Sequence, residues 1–125
     1  MKTFPKSGFT VLELMIVVSI IGLAATIAIP NFIRANSASQ RSACISNLYQ
    51  IRAALGQWTT ETRAPVGASV QYSDIRVYLR GSMVCPAGGT SFSDSYTLVD
   101  NQTLPVCKKV PTGNQAHFLP PDVTQ

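Results

Sequence analysis

Residues 8–30 read GFTVLELMIVVSIIGLAATIAIP, an apolar run broken by one carboxylate, Glu13, close to its start. As a helix, residues 9–29 span about 30 Å, the thickness of a bilayer's hydrocarbon core. A charged side chain at bilayer depth costs roughly 3 kcal/mol on insertion scales. A simple anchor is better made without Glu13. Something must offset its cost, and the expected partner is a positive charge from a neighbouring copy of the chain.

Lys2 and Lys6 precede the run with no acidic residue beside them. The positive-inside rule therefore places residues 1–8 in the cytoplasm and the bulk of the chain outside the inner membrane, after a single pass. A cleaved secretory signal is the competing reading, with Thr26-Ile27-Ala28 as a poor cut site. It fits badly, because Glu13 interrupts its core and the run exceeds the usual ~7–15 residues.

The stretch KSGFTVLELMIVVSIIGLAATIAIPNF closely resembles the N-terminus of type IV pilins and of the pseudopilins of type II secretion systems. The resemblance implies a leader removed by a prepilin peptidase after Gly8 and N-methylation of the new terminus, Phe9. It implies that Glu13 is the assembly glutamate. It also implies partners: the peptidase, copies of the chain and other pilins or pseudopilins, an inner-membrane assembly platform, and membrane lipid. Gly8 suits a scissile position, since without a Cβ it adopts conformations that other residues resist.

The helical pattern continues beyond the membrane-length segment. Gly22 weakens the helix, and Pro30 removes a donor and crowds the preceding turn, so a kink or local loosening is expected between them. The resemblance implies loss of helix in this segment when subunits pack into a filament; a static kink is the alternative. Farther on, Cys44, Leu48, Ile51, Leu55 and Trp58 step by four, three, four and three. At about 100° per residue they form one narrow apolar stripe. Arg34, Arg41, Arg52 and Arg63 form a second line about 80° away by the same geometry. That line reads as a solvated face, with contact to acidic neighbours or to DNA as the sharper alternative. Ala64-Pro65 should end the helix.

The remainder is a small head. Residues 72–81 read as a two-turn helix capped by Ser73, buried through Ile75, Tyr78 and Leu79, and ended by Gly81. Residues 85–89 read as a loop, 95–99 as a strand, Asp100-Asn101 as a turn, and 104–107 as a proline-weakened edge strand. From Lys108 onward the composition predicts a loose tail. The fold class is therefore α+β: a long N-terminal helix, half transmembrane and half amphipathic, packed against a head with a short helix and a β-hairpin. The expected divisions are a leader (1–8), a membrane and assembly helix (9–29), its amphipathic continuation (30–63) and the head with its tail (64–125).

Chemistry-bearing residues are few. The chain has three cysteines and one histidine in 125 residues. Cys85 and Cys107 flank the expected hairpin in an oxidising compartment, and a disulfide between them would close a loop of about twenty residues, contributing on the order of 3 kcal/mol. A head of about sixty residues buries only about 60% of its unfolded surface and benefits from a staple. Cys44 reads as a small buried hydrophobe that could also pair with either of the others. Zinc is disfavoured: no Cys-x-x-Cys spacing exists, and His117 falls in the expected loose tail. His117 has no nucleophile motif near it, and Gly88-Gly89 lacks the lysine and hydroxyl of a phosphate loop. Asp94 and Asp100 make a weak calcium case, and Asn101-Gln-Thr is a glycosylation-type triplet. No catalytic residue, cofactor, metal or nucleic-acid partner is expected.

The formal charge of +4 falls to +2 once Lys2 and Lys6 leave with the leader, too little to argue for an anionic partner. The sequence thus reads as a structural subunit of a type II secretion pseudopilus or of a type IV pilus-like filament, and the head, which lacks the long disulfide loop of many adhesive pilins, favours the secretion-type or a general pilin-like protein. A membrane-anchored, non-assembling module that binds DNA through the arginine line is the alternative.

Overall fold

The computed structural model describes residues 8–120; the leader to Ser7 and the last five residues lie outside the described residues. The chain divides into two compact units, one up to Ala35 and one from Asn36 onward, and each has its own logic. Helix α1 (Val11–Thr62) contributes to both.

In the first unit α1 carries the apolar run. Ser19 Oγ donates to the Met15 carbonyl at 2.8 Å, Thr26 Oγ1 to Leu23 at 2.7 Å, and Asn31 Nδ2 to Ile27 at 3.2 Å. These three neutral polar side chains are thus satisfied by the helix's own backbone, as lipid requires. The helix continues through Gly22 and Pro30.

The second unit is built on the apolar stripe. Cys44, Leu48, Ile51 and Leu55 are fully buried, Ala54 joins them, and Trp58 packs at the edge. The head folds over this stripe with short elements: α2 (Tyr72–Ile75), a 3₁₀ turn (Arg76–Tyr78), α3 (Phe92–Ser95), β1 (Tyr96–Thr97) and β2 (Val106–Cys107). β1 and β2 pair antiparallel, with Tyr96 opposite Cys107 and Thr97 opposite Val106. Three aromatic rings line the core: Tyr72 stacks on Phe92 at 4.2 Å, and Phe92 meets Tyr96 at 5.5 Å.

The elements differ from expectation in their local chemistry. Arg63, at φ 50°, takes the left-handed position and ends α1 at Thr62, one residue ahead of Ala64-Pro65. The cap of α2 is Gln71, whose N–H donates to the Asp74 carboxylate at 2.9 Å, rather than Ser73. Ile75 is buried, while Tyr78 and Leu79 are half-buried. Ser95 belongs to α3, because the Ser91 side chain caps that turn. The strand therefore begins one residue later and is cut to two residues. The segment after Lys108 is not loose as far as residue 120. Ala116, His117 and Leu119 are buried, His117 N–H donates to the Val110 carbonyl at 2.9 Å, and Arg41 Nε donates to the Ala116 carbonyl at 3.0 Å.

Asn101 works as a clasp. Its Oδ1 accepts from Gly67 N–H at 2.9 Å and its Nδ2 donates to the Pro65 carbonyl at 3.0 Å. Its own N–H reaches Ala68 at 3.0 Å, and its carbonyl accepts from Arg52 Nη1 at 3.2 Å. With the side chain buried and both amide ends engaged, this residue is a structural tie and not an exposed glycan acceptor. Asn101→Ala leaves the Gly67 N–H and the Pro65 carbonyl without these part-buried bonds, so it should lower stability by about 1 kcal/mol or more. Unfolding followed by Trp58 fluorescence checks this; a midpoint unchanged from the parent chain would contradict it.

Candidate functional site

Two sets of residues have chemistry that packing alone does not explain. The first lies at the start of α1. Gly8, Phe9 and Thr10 precede the helix and are exposed. Thr10 Oγ1 accepts from Glu13 N–H at 3.2 Å, and the Thr10 carbonyl accepts from Leu14 N–H at 3.2 Å, so Thr10 is the N-cap. Glu13 stands at the third helical position, exposed, with its carboxylate at the positive end of the helix dipole. The Thr10-x-x-Glu13 spacing is the capping-box pattern; it was open to reading in the sequence and was missed. Downstream the apolar side chains face outward: Phe9 is 80% exposed, Leu12 70% and Ile27 71%. No residue of this stretch is buried within its own unit. The helix is long and apolar enough to cross a membrane.

The second set lies inside the head. Cys85 and Cys107, expected to form a disulfide, bring their sulfurs to 3.6 Å as free thiols. Cys44 and His117 join them. Nδ1 of His117 lies 3.6 Å from Cys85 Sγ and 3.8 Å from Cys107 Sγ. All four ligand atoms fall within 4.8 Å of one another, and all four residues are buried. His117, assigned from sequence to an exposed tail, is 2% exposed. The tail's backbone bonds to Val110 and Arg41 carry it inward.

The surroundings act differently on each group. Burial pushes the Cys44 thiol well up, and it pushes the Cys85 thiol up against an opposing Ala87 N–H. At Cys107 burial works the same way, but the Val110 and Lys109 N–H groups and the other two cysteines outweigh it, so its pKa falls. Burial, then the charge of Arg41, lowers the His117 pKa and keeps the imidazole neutral.

The other candidates are absorbed by the fold. The Lys109 ammonium, at 2.7 Å, and then Thr90 hold the Asp94 carboxyl down at about 2. Asp100 accepts from the N–H groups of Gln102 and Thr103 at 2.8 and 2.6 Å, closing a turn. Both carboxylates thus take part in local ties, Asp94 with Lys109 and Thr90 and Asp100 with its own turn. Arg41 and Arg52, two of the four arginines in the line, donate to carbonyls of the head and so serve its packing. Gly89 packs so closely on Cys85 that an added Cβ would lie 2.7 Å from the Cys85 nitrogen and 2.9 Å from its oxygen. That contact fixes the loop bearing Cys85.

A family model described as the prokaryotic N-terminal methylation motif matches residues 4–29, a span that includes Gly8, Phe9 and Glu13. The chain is similar to the type IV major pilin protein PilA of Myxococcus xanthus (strain DK1622), with 58% identity over 41 residues. That stretch covers 33% of this chain and 19% of the relative. It is also similar to the type IV major fimbrial protein FimA of Dichelobacter nodosus, with 49% identity over 55 residues, 44% of this chain and 35% of that protein. The chain therefore spans about a fifth to a third of the length of these relatives. No solved structure matches it.

Proposed function

We propose that this type IV pilin-like chain, which carries the N-terminal methylation motif of that family, is a structural filament subunit and not an enzyme. It is made as a precursor, held in the inner membrane by α1 with residues 1–8 cytoplasmic, cut after Gly8 by a prepilin peptidase, methylated at Phe9, and passed through an assembly platform into a filament. The observation that carries this reading is Glu13 in the first turn of a helix whose N-terminal apolar run is exposed.

The magnitudes favour a partner in another subunit. Burying the charge costs roughly 3 kcal/mol. The helix dipole returns typically about 0.3–1 kcal/mol, and about 2 in favourable partly buried geometry. Local structure therefore leaves a deficit. Cutting after Gly8 creates an α-amine on Phe9, largely protonated near neutral pH with an ordinary pKa of about 7.7–8.0. In a low-dielectric setting that amine on a neighbour attracts Glu13 strongly and fixes the vertical register between helices, which apolar side chains alone leave free to slide in lipid. Gly22 and Pro30 supply the weakened stretch that lets α1 adjust as it packs. The names of the relatives, a major pilin and a major fimbrial protein of the type IV class, favour a pilus-like filament over a secretion pseudopilus.

Mass spectrometry of the mature protein should find Phe9 at the terminus with one added methyl group, and replacement of Gly8 by a bulky residue should leave the precursor uncut. A terminus at Ile29 would instead indicate signal-peptide removal. Glu13→Val should insert at least as well as the parent, be cut normally, and enter filaments at no more than about a tenth of the parent yield, since it loses a pairing worth more than the ~1.4 kcal/mol of a tenfold change. Filaments at normal yield would show that the carboxylate serves only its own helix.

A further inference from the structure

We propose that Cys44, Cys85, Cys107 and His117 form a structural zinc site that locks the head together. Zinc bound tetrahedrally by thiolates at about 2.3 Å and imidazole at about 2.0–2.1 Å sets edges of about 3.8 Å between sulfurs and about 3.6 Å between sulfur and nitrogen. The three measured edges are 3.6 Å for Cys85 to Cys107, and 3.6 and 3.8 Å from His117 Nδ1 to those two sulfurs. Cys44 Sγ supplies the fourth corner within the same 4.8 Å cluster. Binding releases three thiol protons and leaves a site of net charge −1. Arg41, bonded to the carbonyl of Ala116 next to His117, is placed to offset that charge.

Each sulfur already has a donor aimed at it, the outer-shell arrangement that thiolate sites use. Ala87 N–H serves Cys85, and the N–H groups of Lys109 and Val110 serve Cys107. Tyr96 Oη lies 3.7 Å from Cys44 Sγ and accepts from Asn47 Nδ2 at 3.0 Å, which directs its own proton toward the sulfur. A disulfide explains less. It needs about 2.05 Å between two sulfurs, and it leaves the third thiol and the imidazole buried without a purpose. Zinc employs all four groups.

The ligands come from four separate places: α1, the loop at residue 85, β2 and the segment after residue 108. Zinc would tie these together in a head whose strands are two residues long. The absence of Cys-x-x-Cys spacing is no objection, because that pattern arises only when two ligands share one turn. With four protein ligands the site is closed, so its role is stability and not catalysis. The proposal stands apart from the filament reading, since none of its residues belongs to the N-terminal segment.

The test uses the full chain, exported and purified in detergent without reductant or chelator. Elemental analysis should find about one zinc per chain, with all three thiols resisting alkylation until a chelator is added. Replacing the metal with Co²⁺ should give the intense visible absorption of a tetrahedral, thiolate-rich ion. His117→Ala and Cys107→Ser should each weaken zinc binding by about tenfold or more while helix content stays unchanged. A peptide map joining any two of the cysteines in the isolated protein overturns the proposal, and so does a weakly absorbing, octahedral cobalt ion. Should a variant fail to fold, the cobalt spectrum of the unaltered chain decides by itself.

Discussion

An exposed apolar helix surface with one carboxylate in its first turn is the constraint on which everything else depends. Water cannot solvate residues 9–29 at acceptable cost, and lipid cannot readily accept Glu13. Only a setting that supplies both apolar contact and a positive charge satisfies the two demands together. Under the proposed function a bundle of identical processed helices does so, because each cut chain would bring one amine and one carboxylate four positions apart. Thr10 contributes by capping the helix between them, holding Glu13 in the first turn and satisfying an N–H that lipid would leave unpaired.

The head meets a different constraint. Its strands and short helices are too small to hold themselves, so its stability rests on the apolar stripe of α1 and on polar ties beside it. Arg41 and Arg52 reach carbonyls of the head, Asn47 reaches Val84 and Tyr96, and Asn101 closes the loop that follows the helix. Among the described residues no buried side-chain nitrogen or oxygen lacks a partner. Among the described residues of the head, the Cys44, Cys85, Cys107 and His117 cluster is where the proposed zinc would add a tie from outside the chain.

The long-period features were legible in the sequence. The apolar run, Glu13, the stripe from Cys44 to Trp58 and the α+β class all follow from composition and helical spacing, which act over many residues. Short-range choices were harder. Ser73 is the expected cap by residue type, yet the bond from Gln71 N–H to the Asp74 carboxylate sets the cap at Gln71. Ser95 reads as strand until Ser91 is seen to cap a turn ahead of it. His117 was misplaced for another reason: a stretch rich in proline, glycine and polar residues looks loose, and only tertiary bonds to Val110 and Arg41 draw it inward. Cys44 and that histidine, far apart in the chain, bring their ligand atoms within 4.8 Å, and no local spacing encodes it.

The central claim is that the Glu13 carboxylate meets the Phe9 amine of a different subunit. A helical reconstruction of the assembled filament measures this directly. The account predicts the Glu13 carboxylate within about 4 Å of the Phe9 nitrogen of an adjacent chain, at one repeated register along the filament. A filament in which each Glu13 turns back to its own Phe9 amine, or faces no positive charge at all, would contradict it.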